Sequence, residues 1–199
     1  MTISWESWLP AVLLVACLAS FKWAMARFFT QPVGSTGGKG LISVCGVMFG
    51  ILHLYAILSS SSLTEVRSLA GSGLYMSSAG LFWWAIKTSL SRPLSAAFSR
   101  DLPTHLVAEG PYRIIRHPLY CSYLICWVAG WVVTANPWLS PSVAAMLIIY
   151  LLAAAREEQK FMQTPLSNAY RRYRSRTGLL VPTPMKMLSS WRAKHGGNF

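Results

Sequence analysis

Hydrophobic positions along this chain fall into long unbroken runs, not into the alternation of a half-buried strand. Five runs, roughly 8–28, 41–60, 70–90, 118–135 and 138–155, carry only Lys22, Arg27 and Lys87 as charged residues, all three near the ends of their runs. A hydrocarbon core of about 30 Å needs about 20 apolar residues in a helix, with latitude for tilt. Each run is close to that length, so the pattern predicts an all-α, polytopic membrane protein with about five transmembrane helices. The first run is not followed by a small-residue cleavage site, which predicts a retained span and not a signal peptide. Lys22 and Arg27 stand where long side chains can reach the interface. Pro118 opens the fourth run, a position where its missing N–H costs nothing.

Composition agrees: 53% of the 199 residues are hydrophobic and 12% charged, about half the charge of a soluble domain. The runs leave no room for a separate soluble unit, so residues 1–184 read as one membrane domain and 185–199 as a basic, flexible tail. Five spans place the termini on opposite sides. Seventeen of the eighteen basic residues then share one side, and Arg67 alone is on the other. The positive-inside rule puts the N-terminus outside and the C-terminus in the cytoplasm. The net charge of +12 is accordingly assigned to anionic headgroups and not to nucleic acid.

Gly34, Gly37, Gly38 and Gly40 mark the first cytoplasmic connection as flexible. Beyond residue 156 a helical pattern sets Phe161, Leu166, Tyr170 and Tyr173 on one face, with Arg171, Arg172, Arg174 and Arg176 beside them, as in a helix lying along the interface. Cys17, Cys45, Cys121 and Cys126 sit inside apolar runs without metal-ligand spacing and read as reduced core residues, with no metal expected. His53, midway along the second run, reads as a satisfied interior histidine. Met25, Met48, Met76 and Met146 read as bundle filling or the lining of a lipid tunnel. The chain has no G-x-S-x-G elbow, H-E-x-x-H or phosphate loop, which argues against serine hydrolases and zinc enzymes.

Two segments carry candidate chemistry. In E-G-P-Y-R-I-I-R-H-P-L-Y (109–120), Gly110 and Pro111 mark a turn, and Pro118 holds His117 extended ahead of a helix N-terminus. That helix end, with Arg113 and Arg116, suits a carboxylate or phosphate; the same residues would also serve as interface anchors. The second segment, Arg156-Glu157-Glu158, closes the fifth run. The chain has only six acidic residues, so two adjacent carboxylates at this depth are functional candidates or a structural ion pair to the 109–120 loop. Neighbouring helical positions point about 100° apart, so one can face a site while the other pairs with arginine.

These segments, in this order and followed by Y-R-R-Y-R and V-P, resemble the isoprenylcysteine carboxyl methyltransferase family, which is similar to the phospholipid methyltransferases. The resemblance covers about residues 100–182. It implies a membrane helix bundle whose cytoplasmic end encloses S-adenosylmethionine, a C-terminal helix covering that site, and a lipophilic acceptor entering from the bilayer. Carried over, Tyr112, Arg113, Arg116, His117, Pro118 and Tyr120 form one wall, Glu157 and Glu158 the other, and Leu106, Val107, Leu180 and Val181 pack the adenine. Arg116, His117 and Glu158 are the catalytic candidates, and an oxygen acceptor is favoured. The stretch T-P-L-S-N-A-Y (164–170) departs from the Phe-Gly of many members and opens the acceptor to a hydrophobic phenol, quinone-like compound or lipid alongside an isoprenylcysteine carboxylate. Two other readings predict differently: a sterol-type reductase would bind NADPH, and a non-catalytic lipid-binding protein would tolerate loss of Glu157 and Glu158.

Overall fold

The computed structural model describes residues 5–29, 38–61, 63–90 and 102–183. Six helices follow in order: α1 (Trp5–Phe28), α2 (Gly38–Ser59), α3 (Glu65–Ser89), α4 (Pro118–Thr134), α5 (Ser140–Met162) and α6 (Ser167–Arg176). Short 3-10 turns occupy Gly110–Arg113 and Pro137–Leu139. Among the described residues there is no strand, only one isolated bridge between Ile115 and Gly178. The five apolar runs are therefore five helices, and the architecture is all-α and polytopic. Gly34, Gly37, Arg92, Arg100 and the basic tail 185–199 lie outside the described residues. Gly38 and Gly40, expected in a flexible connection, instead open α2.

The helices differ in how they suit a bilayer. Trp5–Phe28, Gly40–Ser59 and Pro137–Met162 are long and apolar enough to cross one. The 17 residues of α4 are apolar but rise only about 26 Å. The 25 residues of α3 are interrupted by Ser68, Ser72, Ser77 and Ser78. Its position answers part of that polarity, because α3 packs between α1 and α4, where buried hydroxyls can reach carbonyls of neighbouring helices. Ser78 Oγ donates to the Ser122 carbonyl of α4 at 2.6 Å, Ser68 donates to the Glu6 carbonyl of α1, and Cys17 Sγ donates to the Tyr75 carbonyl at 3.6 Å. At Gly71 a Cβ would stand 2.1 Å from Val133 Cγ2; the small residue is what lets α3 approach α4 so closely. Phe21 and Phe82 fill the α1–α3 interface with ring centroids 4.4 Å apart.

Large apolar side chains also cover the outside, including Val44, Ile51 and Tyr55 on α2 and Ile148 and Leu152 on α5. An outward apolar surface of this extent suits lipid and not water. On one side of the bundle, α1 and α2 form a wedge. At Gly50 a Cβ would be 2.8 Å from Leu18 Cδ1, whereas at Gly46, one turn nearer the start of α2, nothing lies within 4 Å.

The helix expected from residue 156 onward is broken. The fifth helix continues through Met162, then stops at a turn holding Pro165, which has no N–H to donate. Thr164 Oγ1 donates to the Phe161 carbonyl (2.8 Å) and accepts from the Leu166 N–H (3.2 Å). Phe161 and Tyr170 still meet, but across this turn, with rings stacked at 4.5 Å and 7°.

Candidate active site

Backbone geometry brings the two informative segments together. Gly110 has φ +53°, and a Cβ there would lie 2.4 Å from Thr88 Oγ1 at the end of α3; glycine is required twice over. The 3-10 turn that follows is closed by the Ile114 N–H on the Pro111 carbonyl at 3.0 Å. The chain then pairs with the segment after α6. Gly178 N–H donates to Ile114 O (3.2 Å), Arg116 N–H to Gly178 O (2.8 Å) and His117 N–H to Leu179 O (3.2 Å). A Cβ on Gly178 would be 1.8 Å from the Val181 carbonyl, so this pairing also depends on a glycine. Tyr173 of α6 donates its hydroxyl to the Tyr112 carbonyl at 2.7 Å. His117 ends the segment at the N-cap of α4.

Arg116 and His117 thereby face the charged end of α5, Arg156–Met162, which projects beyond the apolar stretch ending at Ala155. Arg116 Nε donates to Glu158 Oε1 at 2.7 Å, with both side chains about nine-tenths buried. Its Nη1 donates to the carbonyls of Thr177 (2.5 Å) and Arg174 (3.3 Å). Arg174 reaches the same carboxylate, Nε to Oε2, at 3.4 Å. Burial works to raise the Glu158 carboxyl, but His117 and Arg116 beside it hold it down to about 2. Glu157 accepts from the Tyr120 hydroxyl at 2.5 Å. His117 stands between the two carboxylates, Nδ1 3.5 Å from Glu157 and Nε2 3.6 Å from Glu158. Burial alone would lower the imidazole; the two carboxylates outweigh it and raise its pKa above the usual histidine value. Burial keeps the phenols of Tyr112 and Tyr173 neutral.

A cavity of about 650 Å³ opens under this cluster. Tyr112, Arg116, His117, Tyr120 and Glu157 line its charged end, and Tyr123, Trp127, Met146 and Tyr150 line an arm that descends between α4 and α5. Lys22 and Ala26 of α1 and Ser43 and Val47 of α2 border it on the open side of the wedge and are exposed.

Of the residues singled out in the sequence, Tyr112, Arg116, His117, Pro118, Tyr120, Glu157, Leu106 and Val107 line this cavity. Four do not. Arg113 is exposed, Glu158 is buried behind Arg116, Leu180 packs in the cluster of Tyr120 and Tyr150, and Val181 is 72% exposed. Sequence reasoning passed over Tyr123, Trp127 and Tyr150. Helical spacing held a signal for two of them: Tyr120 and Tyr123 are three apart, and Tyr150 and Glu157 seven apart, so each pair shares a face.

The residues present suit a zwitterionic, sulfonium-bearing cofactor. Arg116 and His117 offer cationic donors to a carboxylate, and Nη2 of Arg116 has no hydrogen bond among the described residues. Glu157 offers an acceptor to an ammonium. Six tyrosines, Tyr112, Tyr120, Tyr123, Tyr150, Tyr170 and Tyr173, line the space, and aromatic faces attract a cation.

Fold and site define an integral membrane protein whose ligand cavity lies beneath a cap of paired arginine, histidine and glutamate. The chain belongs to the phospholipid methyltransferase family, whose model matches residues 66–169. It is similar to a methanethiol S-methyltransferase of a Pseudomonas species, with 32% identity over 178 residues, covering 82% of this chain and 65% of that protein. A second relative, methanethiol S-methyltransferase 1 of Bradyrhizobium diazoefficiens, is 30% identical over 71 residues, 36% of this chain and 24% of that protein. The chain thus matches less than two thirds of the length of either relative.

Proposed function

We propose that this protein transfers a methyl group from S-adenosylmethionine to a lipophilic acceptor at the cytoplasmic membrane face. The observation that carries the reading is the convergence of Arg116, His117, Tyr120 and Glu157 on one cavity in a chain of this family. Arg116 and His117 would take the cofactor's carboxylate, Glu157 its amine, the tyrosines its sulfonium, and Leu106 and Val107 its adenine. The cofactor supplies an electrophilic methyl group. The protein's part is to orient the acceptor in line with it and to exclude water; the buried cap of α6 and the 110–117 segment serves the second task.

Sequence features favour an oxygen acceptor, whereas the names of both relatives favour sulfur, and we take a thiol as the acceptor class. A thiol gives up its proton as its sulfur gains the methyl. Glu157, the one carboxylate that lines the cavity among the described residues, is the base we assign, in place of Glu158, which is engaged by Arg116, and His117, which stands between the two carboxylates. The orientation is N-terminus outside and C-terminus inside, supported by the grouping of basic residues at the cavity end while Arg67 lies at the opposite end of the bundle.

Calorimetry with S-adenosylhomocysteine, S-adenosylmethionine and NADPH tests the reading. Micromolar binding of the first two without NADPH is expected, followed by methylation of hydrophobic thiols. Binding of NADPH alone would replace it with a reductase, and binding of none would reject catalysis with either cofactor.

A further inference from the structure

The apolar arm of the cavity ends against Trp127 and Met146, eleven residues along α5 from Glu157, or about 16 Å of helix. Behind that wall lies His53 of α2, fully buried. Its Nε2 is 2.8 Å from Ser142 Oγ on α5. Ser142 donates its single proton to the Leu139 carbonyl at 2.7 Å, so the imidazole supplies the hydrogen of the His53–Ser142 contact from Nε2 and keeps Nδ1 as an acceptor. Nδ1 is aimed at Gly130 of α4, where a Cβ would stand 2.3 Å from it and 3.0 Å from the Tyr75 hydroxyl. Any larger residue at 130 would displace the ring. One turn away, the Trp127 indole meets the imidazole edge-on, centroids 5.4 Å apart at 70°. It donates Nε1–H to Tyr150 OH at 3.0 Å.

Bulk alone does not explain a histidine here, because leucine or methionine would fill the space without placing polar atoms at membrane depth. What the imidazole adds is a ring held at one angle by a hydrogen bond it donates to another helix. We infer that His53 is a positioning residue: pinned by Ser142 and admitted by Gly130, it braces Trp127 as the floor of the arm and so limits the length of apolar chain the cavity accepts. The inference rests on the methyltransferase reading only in calling the occupant an acceptor.

Primary alkanols of increasing length carrying a terminal diazirine test it on the full chain in lipid nanodiscs, with labelled residues mapped by mass spectrometry. In the wild type, labelling of Trp127 and Met146 should peak at one chain length, and longer probes should leave Ser142 unlabelled. In His53→Ala the peak should move to longer probes and Ser142 labelling should rise at least fivefold. His53→Gln, which can still donate to Ser142, should restore the original profile. Absence of arm labelling in the wild type, or the same profile in His53→Ala, would overturn the inference. Ser142→Ala keeps the volume and frees the ring; if His53→Ala does not fold, an unchanged profile in Ser142→Ala overturns it equally. S-adenosylhomocysteine binding measured alongside separates the two ideas, since its loss in the wild type removes the methyltransferase reading while the probe-length limit still tests His53.

Discussion

Glu157 and Glu158, adjacent in sequence, flank the same imidazole from two sides: His117 Nδ1 lies 3.5 Å from Glu157 and Nε2 3.6 Å from Glu158. Their surroundings divide their work. Glu158 is locked between Arg116 and Arg174, whereas Glu157 faces the cavity with Tyr120 as its donor.

Replacing each glutamate should therefore give a different phenotype. Glu158→Gln leaves the buried Arg116 without its carboxylate partner and should cost about 3–5 kcal/mol of stability, seen as a lower thermal midpoint. Glu157→Gln should leave that midpoint nearly unchanged and weaken S-adenosylhomocysteine binding about tenfold or more. Equal midpoints for the two variants would contradict the division of roles.

The hydroxyl of Tyr120 contributes one hydrogen bond to a charged acceptor, worth about 1.5–3 kcal/mol. Tyr120→Phe should reduce cofactor affinity by about tenfold in calorimetry while the stacked Tyr150 ring, 5.5 Å away at 10°, keeps its place.

Both pH limbs follow from the pair of carboxylates. The folded state raises His117, so the stability it contributes is complete below the ordinary imidazole value of about 6.5 and is lost as pH rises through the higher folded value. Glu158 is depressed to about 2, so its contribution is present above the ordinary carboxyl range and is lost only as pH falls toward that value. Thermal midpoints across pH 5 to 9 should decline on the alkaline side, and His117→Gln should flatten that decline.

Much of this was legible in the sequence, and for a definite reason. A bilayer requires long apolar runs, so α1, α2, α4 and α5 announced themselves by composition, and Gly110, Pro111 and Pro118 marked the turn before α4. The break at Pro165 was also written in the chain, but the aromatic spacing around it mimicked one continuous helix. Which glutamate faces the cavity was not legible, because it depends on Arg116, forty-two residues away and held by backbone pairing to Gly178. The position of Val181 was not legible for a related cause: the tight turn that requires Gly178 leaves Val181 on the outer surface.

That turn gives a sharp test. Gly178→Ala places a methyl group against the Val181 carbonyl and should unpair the 114–117 segment, abolishing cofactor binding while membrane insertion persists. Gly110→Ala, strained by its positive φ and by Thr88, should be destabilising by about 1–3 kcal/mol. Wild-type affinity in Gly178→Ala would show that the pairing is dispensable.

The exposed arginines of α6 lie at the level where α4 begins its apolar run, since Tyr173 bonds to Tyr112 there. Headgroup attraction is worth about 1 kcal/mol per arginine. Arg171→Gln with Arg172→Gln should weaken cofactor binding in nanodiscs containing anionic lipid and have no effect in purely zwitterionic ones; the same loss in both would assign these residues a role independent of lipid charge.

The wedge between α1 and α2, shut where Leu18 meets Gly50 and open at Gly46, faces sideways and at one depth only. A molecule dissolved in the leaflet at the cavity end meets the open side of the wedge, whereas the same molecule in the opposite leaflet meets a closed seam. Under the proposed function, the rate seen by a slowly flipping acceptor would then report its transbilayer distribution, and the protein would sample one face of the membrane as if the other were a separate compartment.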